Sequence, residues 1–330
     1  MIERKLVKAL GLSSGGLDSI LSALVLRKQG IDVEWVSFET PFFSSSNAKK
    51  AADTLSIPIV TPNITNIYLD MLKNPNCGYG KNMNPCLDCH ALMFKLASEI
   101  MWEKKYDFLF SGEVLGQRPM SQTKPSLRYV EKKSGIPGYI LRPLSAKRLP
   151  ETIVEQKGLV KRELLLDLIG RSRKPQMKLA KEFGVTDYPQ PAGGCLLTYK
   201  SYADRLKDLF KYRDTYTEKE LQLLKYGRHI RLNPDTKIVV GRDEKDNVNI
   251  INCYEKKTDV FIKIKDFPGP IVLVSNNISK EDITIAARLS IGYSKLPKDK
   301  NFDLSVTVQN KNEILNLTGI STEIFKDLYV

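Results

Sequence analysis

No apolar run in the 330-residue sequence approaches the roughly 20 residues of a membrane-spanning helix. The first residues, MIERKLVKAL, also lack the long apolar stretch of a secretory signal peptide. A cytoplasmic protein without a membrane segment is therefore expected. Only five cysteines are present, and in a reducing compartment they do not indicate a disulfide framework, so their spacing needs another explanation.

Acidic residues are also in deficit. The 38 Asp and Glu residues face 51 Lys and Arg residues, which gives a net charge of +13 and a pI of about 9.3. A basic surface raises the local concentration of polyanions and the rate at which they associate. Nucleic acid is the expected partner, and a generally lysine-rich proteome is the alternative explanation of the charge.

The length exceeds one typical domain, and the texture of the sequence changes after the segment DYPQPAGG. Before it, short apolar runs alternate with amphipathic stretches, which predicts an α/β domain with a parallel sheet wrapped by helices. The predicted strands are residues 6–12, 33–38, 57–62, 108–112 and 139–144, and a helix after the first strand is followed by helices at 46–55, 90–104 and 151–183.

The second half of the sequence is typical of a smaller α+β domain. Its strand candidates are TKIVVGR, NVNIINC, DVFIKIK, GPIVLVS and FDLSVTVQN, and EDITIAARLSIGYSK is a predicted helix. The expected division of the chain is a domain at residues 1–200, a charged helical connector at 201–226 and a second domain at 227–330.

A glycine-rich segment, residues 13–19 (SSGGLDS), lies between the first predicted strand and the helix after it. Free backbone N–H groups and the helix dipole at such a turn attract phosphate, and adjacent glycines let the backbone approach an anion closely. The lysine of a Walker A loop is missing, so the segment is not a P-loop kinase or GTPase signature. A glycine-rich turn without a ligand is the alternative.

The cysteines form a second candidate site. Cys86 and Cys89 make a C-x-x-C motif, which alone is compatible with redox activity, half a zinc site or chance. Cys195 lies in a Pro/Gly-rich loop that can bring a distant thiolate to the same place. Three thiolates can hold a [4Fe–4S] cluster and leave one iron free, whereas a closed structural zinc site normally takes four ligands.

The roles of three neighbouring or remaining residues stay open. His90 follows Cys89, and local packing is favoured over a direct chemical role. Cys77 is either a flexible surface cysteine, which is favoured, or a fourth ligand. Cys253, in an apolar run, is expected to be a buried core residue.

The S-G-G-x-D-S pattern of residues 14–19 resembles the pyrophosphate loop of the ATP pyrophosphatase (PP-loop) superfamily, whose members split ATP into AMP and pyrophosphate to adenylate a carbonyl oxygen. The resemblance implies that the loop cradles the pyrophosphate end of ATP and that Asp18 helps to hold Mg²⁺, which prefers hard carboxylate oxygens. The implied ATP-binding residues are Ser13, Ser14, Gly15, Gly16, Asp18, Ser19, Phe38, Gly112 and Gln117.

The cysteine motifs N-P-C-x-x-C-H and G-G-C-L-L-T resemble those of bacterial tRNA 2-thiouridylases, which carry N-P-D-x-x-C-N and G-I-C-F. Cys89 and Cys195 match that family's two functional cysteines, and Cys86 replaces its Asp. Residues 111–122 are similar to the T-G-(D/E)-S-L-G-Q-x-x-S-Q of tRNA 4-thiouridine synthetases. Several RNA thiolases of the superfamily bind an oxygen-sensitive cluster through three cysteines, so the resemblance implies catalytic Cys86, Cys89, Cys195 and Asp18.

The segments VVGRDEKDNVNII and DVFIKIKDFPGPIVLV resemble the RNA-binding domain of ribosome quality-control (NFACT-type) proteins, matching it at Gly241, Arg242, Asn247, Lys265, Asp266, Pro268 and Gly269. Pro270 and Ile271 stand in place of its Ser-His. The resemblance and the charge together imply phosphate contacts, since Lys and Arg position a nucleic-acid backbone without reading its sequence. The candidates are Arg171, Arg173, Lys174, Arg228, Arg231, Arg242, Lys263 and Lys265.

The expected function is ATP-dependent thiolation of a uridine in RNA, most naturally tRNA, with sulfide or a persulfide source as the sulfur donor. A cluster is favoured because a two-cysteine persulfide relay leaves the third cysteine without a purpose. The alternatives are such a relay, a PP-loop enzyme that amidates a small molecule, and an RNA-binding factor with a vestigial nucleotide loop. The position thiolated, the nucleotide, the donor and the oligomeric state stay open.

Overall fold

The chain folds into two compact units, Met1–Thr198 and Tyr199–Val330. The structure, a computed structural model, describes residues 6–190, 194–275 and 278–330. Each unit has its own sheet and its own apolar core. The α/β architecture predicted for the first half and the α+β architecture predicted for the second are confirmed.

The first unit is built on a five-stranded parallel sheet with the order β3-β2-β1-β4-β5. Lys8 pairs with Asp32 on one side of β1, and Ala9 pairs with Phe108 on the other. Because the chain moves outward in opposite directions from β1, a crevice opens beyond the carboxyl ends of β1 and β4, where ligands bind in such sheets. The strands are β1 Lys8–Leu12, β2 Asp32–Val36, β3 Ile59–Val60, β4 Phe108–Ser111 and β5 Ile140–Leu141.

Helices cover this sheet and close its core. Trp35, Phe108 and Phe110 are fully or almost fully buried, and they pack with apolar residues of the helices. The helices are α1 Leu17–Arg27, α2 Ser46–Leu55, α3 Thr65–Lys73, α4 Cys86–Glu103, α5 Lys124–Ser134, α6 Ile153–Gln156 and α7 Lys174–Glu182. The sequence prediction missed α3 and α5, although Thr123 caps α5 by accepting a hydrogen bond from Ser126 N at 3.2 Å.

The single helix predicted over residues 151–183 is wrong. The chain there forms two separate helices, α6 and α7, joined by an irregular segment. Gly158 and Gly170 adopt positive φ values of 67° and 89°, which a continuous helix does not allow. Pro175 lies at the start of α7, where its missing N–H costs nothing.

The second unit begins with α8 Lys200–Tyr212 and α9 Glu218–Leu223, followed by a six-stranded antiparallel sheet with the order β11-β10-β8-β9-β7-β6. α11 Lys280–Gly292 packs on one face through Ala286 and Leu289. α10 Glu244–Cys253 covers part of the other face through Ile250 and Cys253. The strands are β6 Arg228–Arg231, β7 Lys237–Val240, β8 Asp259–Ile264, β9 Val272–Ser275, β10 Asn301–Val308 and β11 Lys311–Thr318.

The strand predicted at NVNIINC is also wrong, since these residues belong to α10. The Asp243 side chain accepts a hydrogen bond from Asp246 N at 2.8 Å and caps the helix. Asp246, Ile250 and Cys253 then fall on one buried face at helical spacing. Of the helices in the described ranges, none is long and apolar enough to cross a membrane.

Candidate active site

The glycine-rich segment connects β1 to α1 at the crevice of the first sheet. Ser13 N donates to Val36 O at 3.0 Å, which holds the start of the segment against the end of β2. Gly15 N donates to Ser13 Oγ at 3.2 Å, and Ser14 N donates to Ser19 Oγ at 3.4 Å. Gly16 is the N-cap of α1 and has no side chain to close the helix end. The segment is a compact turn at a helix N-terminus, the geometry that suits an anion.

Two glycines are required here for space. A Cβ on Gly15, whose φ is +72°, would lie 2.3 Å from the backbone carbonyl carbon of Asn47. A Cβ on Gly112, just after β4, would lie 2.4 Å from the backbone of Asp18. The nucleotide loop is therefore packed directly against the start of α2 and against the loop that follows β4. Phe38, another predicted nucleotide contact, is buried at 4% exposure just after β2.

Asp18 sits in the first turn of α1 and is the acidic group of this crevice. Its Oδ2 accepts a hydrogen bond from Gln117 Nε2 at 2.8 Å, and Gln117 Oε1 accepts one from Gln176 Nε2 at 3.0 Å. Burial raises the pKa of Asp18, against the opposing effects of Gln117, Arg173, Gln176 and Arg118. Gln176, on α7, is 1% exposed and was not predicted from the sequence.

The second oxygen of Asp18 is what a metal ion would use. Asp18 Oδ1 is buried and accepts no hydrogen bond from any residue that the structure describes. A buried carboxylate oxygen without a donor is costly unless a cation compensates for it. The site therefore fits Mg²⁺, with Asp18 as the residue that would hold it.

Cys86 and Cys89 occupy the first turn of α4, on one side of the same crevice. Pro85 is the N-cap of this helix, and Cys89 N donates to Pro85 O at 2.8 Å. Asn84 Nδ2 donates to Cys86 Sγ at 3.3 Å, so the sulfur already takes part in a polar contact. Both cysteines are partly buried and form no disulfide.

Cys195 reaches the same place from a distant part of the sequence. Leu196 N donates to Phe42 O at 3.0 Å, and Asn82 Nδ2 donates to Thr198 O at 2.6 Å. These two bonds attach the segment carrying Cys195 to the loops that precede α2 and α4. Residues 191–193 of the predicted Pro/Gly-rich loop lie outside the described residues.

The three thiols perturb one another's ionisation. Burial, together with the Cys195 and Cys86 thiols, raises the pKa of Cys89 well above its ordinary value. Burial also raises the pKa of Cys195 to about 11, with a further contribution from Cys86. Tyr68, fully buried, has its pKa raised by burial and by the same three cysteines. Thiolates at this site therefore require a compensating positive charge.

Iron supplies such a charge, because a coordinated thiol loses its proton. The described residues contain no group of three or more His, Cys, Asp or Glu arranged to hold a single metal ion. The ligands of a [4Fe–4S] cluster bind different irons and need not converge on one point. Three mutually sensitive thiols in a partly buried crevice fit the donor set of such a cluster.

The loop before α4 is tied to the cysteine turn through Asp88. Asp88 Oδ2 accepts a hydrogen bond from Cys77 N at 2.7 Å, and Asp88 Oδ1 accepts one from Tyr129 OH at 2.8 Å. Cys77 itself is exposed, as expected for a surface cysteine. Cys253 lies in the second unit and is buried in its core, at 8% exposure.

A buried ion-pair network connects the cysteine helix to the loop after β4. Glu113 is 6% exposed, and its carboxylate lies 3.0 Å from both His90 Nδ1 and Arg142 Nε. Burial alone would raise the pKa of Glu113, but Arg142 and His90 lower it to about 2. Arg142 follows β5 and was not predicted as a site residue. His90 thus packs locally against a carboxylate, next to Cys89.

The predicted RNA contacts in the second unit differ in how free they are. Arg231 makes two hydrogen bonds to the Asp208 carboxylate, at 3.0 and 2.7 Å, and its side chain is only 13% exposed. Arg242 pairs with Asp246, and Arg228 lies over the Tyr293 ring with 4.8 Å from Cζ to the centroid. Lys263 and Lys265, on and just after β8, are exposed. In the first unit, Arg171 and Lys174 are exposed beside the partly exposed Arg173.

Comparison with known proteins supports the assignment of both units. Residues 6–157 match the family model described as thiamine biosynthesis protein (ThiI), and residues 227–329 match the model described as NFACT protein RNA binding domain. The chain is therefore similar to two families, one in each unit. The PP-loop resemblance of the first unit and the NFACT-type resemblance of the second are confirmed.

Curated relatives point the same way for the first unit. The chain is 27% identical over 223 residues to a tRNA-specific 2-thiouridylase of Thermoanaerobacter sp. (strain X514), covering 60% of this chain and 57% of the relative. It is 31% identical over 155 residues to a probable tRNA sulfurtransferase of Finegoldia magna, covering 44% of this chain and 38% of the relative. The chain thus spans only about half the length, or less, of these relatives.

A solved structure titled as a 4-thiouridine synthetase–RNA complex with bound ATP is also similar. The match is 22% identical and covers 54% of this chain and 52% of that chain, with a TM-score of 0.35.

Proposed function

We propose that the protein thiolates a uridine in RNA, expected to be tRNA, in an ATP-dependent reaction that releases AMP and pyrophosphate. One observation carries the proposal: the loop after β4 contacts both halves of the site. Gly112 packs on Asp18 of the nucleotide loop, and Glu113 bonds His90 beside Cys89. A nucleotide site and a cysteine site held by consecutive residues suit a reaction that needs ATP and sulfur at one carbon atom.

Activation comes first, because the oxygen of a uracil carbonyl is a poor leaving group. That oxygen attacks the α-phosphorus of ATP and forms a P–O bond, while the bond from the α-phosphorus to the bridging oxygen breaks. Pyrophosphate leaves with the electron pair, and the ring N–H proton is lost to solvent. The backbone of the glycine-rich turn and a Mg²⁺ ion held by Asp18 stabilise the charge on the leaving group.

Sulfur transfer completes the reaction. A sulfide-level sulfur attacks the activated ring carbon and forms a C–S bond, and the C–O bond breaks. AMP leaves with the former carbonyl oxygen, so no net oxidation or reduction of the base occurs. Sulfide or a persulfide source supplies the sulfur atom.

The sulfur carrier is proposed to be a [4Fe–4S] cluster held by Cys86, Cys89 and Cys195. The raised thiol pKa values support this choice, because persulfide chemistry requires a readily formed thiolate, whereas iron binding itself removes the proton. When bound, the cluster would supply one iron without a protein ligand, at which sulfur can be carried. A persulfide relay between two of the cysteines is the alternative for this step.

RNA binding is assigned to the second unit by its similarity to an RNA-binding domain. Lys263 and Lys265 are the best placed of the predicted contacts there, because their ammonium groups are exposed. Arg231 serves the fold through Asp208, so its charge is less available to phosphate. Arg171 and Lys174 are proposed as additional contacts from the first unit.

Two experiments test the proposal. Nucleoside analysis of RNA from a deletion strain should show one thiouridine missing, and complementation should restore it. An unchanged thiouridine profile would favour the amidation or vestigial-loop alternatives, which ATP consumption with a small-molecule acceptor and RNA binding without ATP turnover then separate.

The cluster is tested separately. Anaerobically reconstituted protein should be brown, and Cys86→Ala, Cys89→Ala and Cys195→Ala should each remove most of the visible absorption and bound iron. Cys77→Ala and Cys253→Ala are matched controls that should retain both. A colourless wild type that still thiolates RNA would favour the persulfide relay.

A further inference from the structure

The nucleotide loop lacks the lysine with which a P-loop neutralises phosphate. Pyrophosphate nevertheless leaves with several negative charges, and one Mg²⁺ ion at Asp18 compensates for only part of them. Positive charge must reach the crevice from elsewhere in the fold. Two segments of the first unit meet at the right place.

These segments are the loop after β4 and the stretch that leads into α7. A parallel bridge joins Leu115 to Ile169, and Gly170 N donates to Leu115 O at 2.8 Å. Gly116 has a φ of +75°, and a Cβ there would lie 3.5 Å from Gly170 N, so the two backbones run side by side. The bridge holds the residues that follow it, on both segments, near each other.

Both segments are also bonded to the nucleotide loop. Gln117 donates to Asp18, and Gln176 donates to Gln117, with separations of 2.8 and 3.0 Å. Arg118 is the next residue after Gln117, and Arg173 is the N-cap of α7, one turn before Gln176. Both guanidinium charges act on Asp18, where they oppose the rise of its pKa that burial causes.

Neither arginine is used up by the fold. Arg142, Arg162 and Arg231 each form a close ion pair with a carboxylate. Within residues 6–190, 194–275 and 278–330, Arg118 and Arg173 form no such pair, and Arg118 is exposed while Arg173 is partly exposed. Their planar guanidinium groups can each make two parallel hydrogen bonds to phosphate oxygens.

We infer that Arg118 and Arg173 form a two-arginine clamp on the leaving pyrophosphate, supplying the positive charge that a Walker lysine supplies elsewhere. The inference rests on the proposed function and assigns Arg173 to the nucleotide rather than to RNA. As the bond between the α-phosphorus and the bridging oxygen breaks, that oxygen keeps the electron pair. The clamp stabilises the new charge without itself gaining or losing a proton.

The test measures magnesium pyrophosphate binding by calorimetry and AMP formation by product analysis, in the full chain. Arg118→Ala and Arg173→Ala should each weaken pyrophosphate binding and slow AMP formation by roughly 10- to 100-fold, the range for one lost charge-assisted hydrogen bond. Binding of AMP, which lacks the leaving group, should stay within about twofold. Arg118→Lys and Arg173→Lys should recover part of the loss.

Arg128→Ala is the matched control, because Arg128 is an exposed arginine on α5 that contacts none of the Asp18, Gln117 and Gln176 chain. Its pyrophosphate affinity should equal that of the wild type. The clamp is overturned if the wild type does not bind magnesium pyrophosphate, or if both alanine variants bind it normally. It is likewise overturned if Arg173→Ala weakens RNA binding alone. Loss of thiouridine formation with intact AMP formation would refute thiolation and leave the clamp standing.

Discussion

Replacing Glu113 with leucine is the sharpest test of how the first unit is held together. The Glu113 carboxylate is buried between Arg142 and His90, and its pKa falls to about 2 from an ordinary 4.5. At about 1.36 kcal/mol for each unit of pKa, ionised Glu113 contributes about 3 kcal/mol to the free energy of unfolding at neutral pH. The substitution also leaves Arg142, at 4% exposure, with only the weaker Glu131 contact at 3.4 Å. Breaking a buried pair costs about 3 to 5 kcal/mol, so the two estimates agree.

The pH dependence has a definite sign. Because the folded-state pKa of Glu113 lies below the unfolded value, its contribution is fully present above about pH 4.5 and is lost as the pH falls towards 2. Glu113→Leu should therefore lose most stability at neutral pH and show a flatter decline of stability between those two values. Glu113→Gln, which keeps the size and one acceptor oxygen, should lose less.

The assay is urea unfolding followed by tryptophan fluorescence. Both tryptophans of the chain, Trp35 and Trp102, belong to the first unit, so the signal reports that unit alone. Asp167→Asn is the matched control: its carboxylate lies 2.9 Å from Arg148, as close as the Glu113 pair, but both side chains are more than half exposed. It should cost less than about 1 kcal/mol. Equal losses for Glu113→Leu and Asp167→Asn would refute the argument that burial sets the strength of the pair.

Three further predictions follow from individual contacts. Asp18→Asn should slow AMP formation by at least about 100-fold, with tryptophan fluorescence unchanged, since a metal-holding charge is lost without a cavity; a wild-type rate would show that Asp18 holds no metal. Gly15→Ala should abolish ATP binding, measured by calorimetry, because its Cβ would meet Asn47 at 2.3 Å; Gly30→Ala, at a φ of +78° with nothing within 4 Å, should bind ATP normally and lose only about 1 kcal/mol of stability. Lys237→Met should stabilise the second unit by up to about 3 kcal/mol at neutral pH, because burial lowers the pKa of Lys237 to about 8 from 10.5, while Asp208 keeps Arg231 as its partner. Since the unfolded chain binds more protons between those two values, the stability of the wild type should rise and the advantage of the variant should vanish across that window, as measured by hydrogen exchange in β7; an advantage that does not change with pH would contradict the assignment.

The nucleotide loop and the C-x-x-C motif were predictable because each is a short, continuous stretch of sequence. Residues 13–19 form their turn from neighbouring serines and glycines, and Cys86 and Cys89 share the first turn of one helix. Local sequence also indicated the parallel sheet of the first unit. It failed where the pattern was ambiguous: the apolar residues of NVNIINC suit a strand or a helix, and the cap at Asp243 together with packing against β7 and β9 decided for the helix.

Other parts of the site carried no local signal. Gln176 and Arg142 are single polar residues in ordinary surroundings, and each acquires its role from a partner far along the chain. Nor does charge in the sequence show which arginines are free: Arg231 is bound by Asp208, whereas Arg118 is not paired with any carboxylate that the structure describes.

The sequence by itself therefore determined the chemistry available to this protein: a phosphate-binding turn, three cysteines and an excess of positive charge. The tertiary structure alone decided which of these groups meet. Hydrogen bonds from Leu196 to Phe42 and from Asn82 to Thr198 bring Cys195 to the other thiols, and Gly112 brings β4 against Asp18. The physical reason is that pKa values, ion pairs and hydrogen bonds depend on distance and burial, which the order of residues along the chain does not contain.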